Sequence, residues 1–309
     1  MTQRPPFPAT IDSSMIATFR SCEWKANLEY LLHWKPRSQS VHLHAGKCYA
    51  AGLEAARVAF HVQQHSPQRA QEIGLDTLQQ EWGDFQAPTD SPKSLDRMLG
   101  ALKFYFENYP LDTDLAQPIT LGDKVAIEFS FAEPLGVDHP ETGEPIILAG
   151  RADQIVSYAG GVYIEDDKTT SSLGASWGRQ WDLRSQFTHY AWAAQRMGIK
   201  VDGVLVRGVS ILKTKYATQE VPTYRPQWMI DRGIAQLERD VLRMIEAWKS
   251  GAWNMNLDHA CTEYGGCTFR QICLVQDAEP FLETGFQRRM WSPLTRTETI
   301  LDADGKPVQ

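Results

Sequence analysis

The chain has 309 residues, 42% hydrophobic and 22% charged, which sets it apart from disordered and fibrous proteins and allows one large domain or two small ones. A formal charge of -7 argues against a nucleic-acid coat protein, whose affinity would come from many Lys and Arg contacts to phosphate. It does not exclude an enzyme that gathers carboxylates around a cation.

The segment Met1 to Thr10 has no apolar export core, and no run of about 18 apolar residues occurs anywhere. A soluble, cytoplasmic protein with no membrane partner is expected. Asp12, Ser13 and Ser14 can cap a helix that carries Ile16, Phe19, Cys22, Ala26 and Tyr30 at helical spacing. A second helix is expected from His44 through Phe60, and others over about 67–83 and 92–107, divided near Pro88 and Pro92. The first third is therefore mainly helical.

From Ile119 to Lys168 the pattern changes to strands, with Val125-Ala126-Ile127, Ile146-Ile147-Leu148 and Val162-Tyr163-Ile164 between Gly, Pro and Asp. A helix over Leu183–Met197, a strand at Val204-Leu205-Val206 and a hairpin through Thr214–Thr223 follow. After Pro226, residues Ile230, Ile234, Leu237, Val241, Ile245 and Trp248 share one face of a long helix that Gly251 ends. A cysteine-rich loop and a polar tail close the chain.

The chemistry is concentrated in a hairpin. Leu148 to Tyr158 and Val162 to Thr170 flank Ala159-Gly160-Gly161, and a turn centred on Ala159-Gly160 sets Asp153 opposite Asp166. Like charges facing each other on adjacent strands are destabilising unless something compensates, and a divalent cation would. Alternation puts Lys168 on the face of Asp166 and turns Asp167 away. Two carboxylates suit Mg2+ or Mn2+, and the ammonium can orient a water or offset charge on phosphorus. On spacing alone, an acidic solvated hairpin without a ligand stays open.

Gly150-Arg151-Ala152-Asp153, Ile164-Glu165-Asp166-Asp167-Lys168-Thr169 and Gln186-Phe187-Thr188-His189-Tyr190 resemble the motifs of RecB-like nucleases of the PD-(D/E)XK superfamily. That group includes the AddB subunit nuclease, CRISPR-associated RecB-like exonucleases and many phage proteins, and the resemblance covers roughly residues 10–275. It implies an α/β fold with a restriction-endonuclease-like core. A central mixed β-sheet would be flanked by helices, with a helical N-terminal part, a C-terminal Cys-rich cluster loop and a tail over 276–309. It further implies that Asp153, Asp166 and the backbone carbonyl of Asp167 hold the metal and that Lys168 is catalytic. Gln186 and Tyr190, one helical turn apart, would support the site or touch DNA. The family often has a metal-ligating histidine four residues after a helix glycine, where this chain has Ala50 after Gly46. Glu54, one turn further, is the preferred substitute; His44, or no protein replacement, are the alternatives. Glu128 also resembles a family position.

Several RecB-like nucleases hold a 4Fe-4S cluster with one N-terminal and three C-terminal cysteines, and Cys22, Cys261, Cys267 and Cys273 resemble that arrangement. Zinc and unligated thiols are the alternatives; Cys48 reads as a core thiol. Trp177, Arg179 and Trp181 are candidates for contact with bases. The expected activity is metal-dependent hydrolysis of DNA by an exonuclease acting on single strands or duplex ends, with a possible recombination or replication protein as partner. The rivals are a catalytically impaired DNA-binding scaffold of the same fold and a CRISPR spacer-processing nuclease.

Overall fold

The computed structural model describes residues 4–262, 266–302 and 304–308. The chain forms two compact units, one from Gln39–Ser130 with Arg151–Ile230, the other from Met1–Ser38, Phe131–Gly150 and Asp231–Gln309. Among the described residues no helix is long and apolar enough to cross a membrane.

The unit that holds the carboxylate hairpin is a mixed sheet covered by helices. Helices α1 (Val41–Arg57), α2 (Pro67–Trp82) and α3 (Leu95–Asn108) precede strand β1 (Pro145–Tyr158), which belongs to this unit from Arg151 on, and strand β2 (Gly161–Thr170), then α4 (Ser185–Arg196), β3 (Gly203–Ile211) and β4 (Tyr216–Tyr224). Ser66 and Ser94 accept the N–H groups of Arg69 and Arg97, so each caps the helix it precedes. Strands β1 and β2 pair antiparallel, β2 and β3 parallel, and β3 and β4 antiparallel. The parallel step needs a crossover, and α4 supplies it. Every residue of β3 is buried, as its run of Val, Leu and Ile requires of a central strand.

Ala45, Leu53, Leu78, Met98 and Leu102 from the three N-terminal helices pack on Val209 and Ile211 of β3, forming the main core on one sheet face. Gly208 belongs to the opposite face by alternation, and the ring of Trp177 lies against it so closely that a Cβ would meet ring carbon at 2.4 Å. Trp177, Trp181 and Phe187 form a chain of ring contacts, with centroids 5.4 and 5.8 Å apart, that joins α4 to this second face.

In the other unit Asp12 caps the helix Ser13–Ser21 by accepting from Met15 N–H. That helix does not continue through Cys22 as its spacing predicts, because Cys22 is extended and separates it from Glu23–Ala26. Arg20 reaches Asp240 on the long helix Gln227–Ser250 at 2.7 Å. The cysteine-rich segment is not a simple loop, since His259–Thr262 and Arg270–Cys273 are short helical turns. Residues expected as a polar tail carry the helix Glu279–Gly285 and the strands Phe286–Ser292 and Thr297–Ile300. The first of these strands pairs with Trp34–Pro36.

The crossing of α1 and α2 depends on two glycines. A Cβ on Gly74 would lie 2.6 Å from the Gly52 carbonyl oxygen, and one on Gly52 would lie 2.7 Å from that of Gly74. Because the obstacle is backbone, Gly74→Ala must push the helices apart, with an expected loss of about 1–3 kcal/mol in urea unfolding. An unchanged midpoint would show that the helices can separate freely.

Candidate active site

The hairpin turn forms where the sequence places it. Ala159 and Gly160 have φ of 49° and 83°, the left-handed pair of a tight two-residue hairpin turn. Pairing then runs from Tyr158↔Gly161 to Gln154↔Glu165, and Asp153 and Asp166 are next in that register. Instead of a further ladder pair, the Asp153 carboxylate takes the Asp167 N–H at 2.7 Å, so β1 and β2 fork at this point. Beyond the fork β2 continues along β3 to Thr170.

Asp166 is buried and forms an ion pair with Lys168 two residues on, as alternation requires. Burial pushes the Asp166 carboxyl up to about 6; Lys168 opposes that shift and Asp153 adds to it. Burial acts to lower Lys168, but Asp166 and Asp153 outweigh it and hold the ammonium above its ordinary range. Two carboxylates and one ammonium leave an excess of negative charge, and this donor set fits a hard divalent cation.

Gln186 and Tyr190 stand one turn apart on α4. The Gln186 amide donates to the Tyr190 hydroxyl at 2.9 Å, and that hydroxyl donates to the Arg151 carbonyl at 2.9 Å. The pair therefore fixes the β1 backbone two residues before Asp153. Glu128, with φ of 52°, forms an ion pair with Arg151. Glu54 is half-buried on α1, and His44 is buried against Phe85, its ring nitrogens meeting the Gln39 amide and the Trp82 carbonyl. Among the described residues no three His, Cys, Asp or Glu side chains form a group arranged to hold a metal ion. Trp177 and Trp181 are buried wall residues, closed off from stacking on bases by their contacts with Gly208 and Phe187.

Sequence reasoning missed the charged network on the far face of the same strand. Glu165 is fully buried and receives Arg57 at 2.5 Å and the Gln154 amide at 2.8 Å. Arg57, from the C-terminal end of α1, also meets Asp167 at 2.8 Å and the Tyr105 hydroxyl at 2.8 Å. Arg207 on β3 meets Glu220 and Asp114 at 2.8 Å and lies 3.5 Å from Glu165. Burial pushes Glu165 up to about 7 against the pull of Arg57 and Arg207. The signal was parity: if Asp166 faces the site, Glu165 and Asp167 face the helical core and need buried cations there.

In the other unit, Cys22, Cys261, Cys267 and Cys273 line one cavity of about 160 Å³ together with Trp24, Leu257 and Phe269. Burial, followed by the charges of Cys267, Cys22 and Cys261, raises the Cys273 thiol. Cys48 is a buried core thiol.

The family model of the PD-(D/E)XK nuclease superfamily matches residues 13–274, most of the chain. The chain belongs to this superfamily. No curated protein matches the sequence. Among solved structures, a candidate exonuclease from Eubacterium rectale is 14% identical, with a TM-score of 0.48 over 82% of this chain and 87% of its own. A protein designated SSO0001 is 14% identical, with a TM-score of 0.28 over 64% of this chain and 74% of its own.

Arg57 holds two buried carboxylates, so Arg57→Met is expected to cost about 3–5 kcal/mol of stability. Glu165 binds its proton more tightly folded than unfolded, so protonation favours the fold at low pH and that help is lost as pH rises through about 7. The deficit of the variant should therefore be smaller at about pH 5 than at about pH 8 in urea titrations. A deficit independent of pH would remove the carboxylates from the explanation.

Proposed function

We propose that the protein is a RecB-like, Mg2+- or Mn2+-dependent deoxyribonuclease, acting as an exonuclease on single strands or duplex ends. The observation that carries this reading is the fork of the hairpin, where the Asp153 carboxylate meets the Asp167 N–H and Lys168 pairs with Asp166. Asp153, Asp166 and the Asp167 carbonyl would hold the cation. When bound, it polarises the scissile phosphate and lowers the pKa of a water.

Lys168 orients that water or balances charge on the phosphate oxygens, and Asp166 keeps the ammonium charged. Gln186 and Tyr190 act through the Arg151 carbonyl and position Asp153. Glu54 is the carboxylate on α1 proposed to stand in for the missing histidine.

Asp166→Asn removes one ligand and the partner of Lys168, so release of nucleotides from labelled single-stranded DNA with Mn2+ should fall by about 100-fold or more. Ala50 at the position of the family histidine favours a second reading, a DNA-binding scaffold with little or no turnover. That reading is the one to adopt if wild type binds DNA, releases no nucleotides and is unaffected by Asp166→Asn.

A 4Fe-4S cluster held by Cys22, Cys261, Cys267 and Cys273 is the second part of the proposal. Its support is the shared apolar cavity and the mutual repulsion expected of four thiolates, which a positively charged iron core relieves. Anaerobically reconstituted protein should absorb near about 400 nm, as thiolate-bound iron-sulfur clusters do, and Cys267→Ser should lose that band. Colourless protein with stoichiometric zinc would overturn the cluster.

A further inference from the structure

The buried cations Arg57 and Arg207 each meet carboxylates, and the buried Arg225 donates to the Tyr224 and Trp181 carbonyls. Lys93 differs. It is only 5% exposed, and among the described residues its ammonium meets no carboxylate; its recorded partner is the Thr169 hydroxyl at 3.3 Å. Burial alone lowers its pKa, with no neighbouring charge contributing. A desolvated ammonium with one neutral acceptor costs free energy, and among the described residues the Thr169 hydroxyl is the one recorded acceptor for its three donors.

Its position gives that charge a use. Thr169 directly follows Lys168 on β2 and is half-buried; by alternation its side chain lies on the face of Asp167, opposite that of Lys168, and the two faces share the β2 edge that the fork leaves unpaired by β1. A Cβ on the half-exposed Gly46 of α1 would come within 4.0 Å of the same hydroxyl, so α1 and the segment before α3 converge there on β2. Helix α3 begins at Leu95, two residues after Lys93, and its first-turn N–H groups add positive potential, partly offset by the exposed Asp96.

Resting on the nuclease reading above, we propose that Lys93 binds a phosphate of the DNA strand next to the one being cleaved, with Thr169 holding the ammonium in place. The phosphodiester supplies the missing anion, and the strand is drawn along the edge of β2 past Lys168. The residue is a substrate-binding cation, distinct from the groups assigned to metal and water.

The test uses Lys93→Gln and Lys93→Met in the full chain. Glutamine keeps a donor for Thr169 but no charge, so it separates electrostatics from a structural hydrogen bond. Affinity for a fluorescent single-stranded oligonucleotide is measured in EDTA over a salt series, with thermal melting alongside. Both variants should melt at or above the wild-type temperature, since a lone buried charge is removed. Both should bind about tenfold more weakly, with a log–log salt slope smaller by about 0.7, the contribution of one phosphate contact on a single strand. Wild-type affinity and slope in Lys93→Gln would overturn the proposal, as would recovery of binding by glutamine but not methionine. If Lys93→Met fails to fold, Lys93→Gln decides. A wild-type protein that cleaves DNA beside an unaffected Lys93→Gln sinks this inference alone. A wild-type protein that neither binds nor cleaves DNA sinks the nuclease reading, and this inference with it.

Discussion

The contact on which the site depends is the one between Arg57 and the two carboxylates Glu165 and Asp167. Strand β2 carries Glu165, Asp166, Asp167 and Lys168 in succession, and the pleat sends alternate members to opposite faces. A strand cannot offer Asp166 to one side without burying its neighbours on the other. Arg57 and Arg207 make that arrangement tolerable by meeting the inward carboxylates within a layer of helices. Removal of water makes each such pair strong and makes each missing partner costly.

The front of the strand is organised by backbone as much as by side chains. The Asp153 carboxylate takes the Asp167 N–H where the ladder between β1 and β2 stops, while Tyr190 grips the Arg151 carbonyl from α4. Both bonds act on main-chain atoms, so the separation of the two acidic side chains is set by the fork and the helix together. Trp177 against Gly208 closes the neighbouring position on β3, across from Lys168.

Much of this was legible in the sequence because it follows from short-range rules. The Ala159-Gly160 turn fixes the register down to Gln154↔Glu165, which makes Asp153 and Asp166 the next residues of the two strands, and alternation assigns Lys168 to the side of Asp166. Gln186 and Tyr190 lie together because helix periodicity demands it. What was not legible depends on partners distant in the chain. Arg57 lies 108 residues from Glu165, and nothing local to either marks the pairing. The break at Cys22 was hidden for a related reason, since apolar spacing continues through it while the backbone is extended. The regular structure after Glu279 was missed because its strand finds its partner at Trp34–Pro36, near the opposite end of the sequence.

That last pairing also bears on how the protein is made. Arg289 hydrogen-bonds the Pro36 carbonyl across 253 residues of sequence, and Trp291 donates to Asp12, the cap of the first helix. On the ribosome the Trp34–Pro36 edge must wait for its partner until Phe286–Arg288 has emerged, whereas Asp12 can cap its own helix at once. The stretch from Gln39 to Ser130 with Arg151 to Ile230 has all its strand partners earlier and can consolidate first. The carboxylate hairpin can thus be in place before Phe286–Arg288 pairs with Trp34–Pro36.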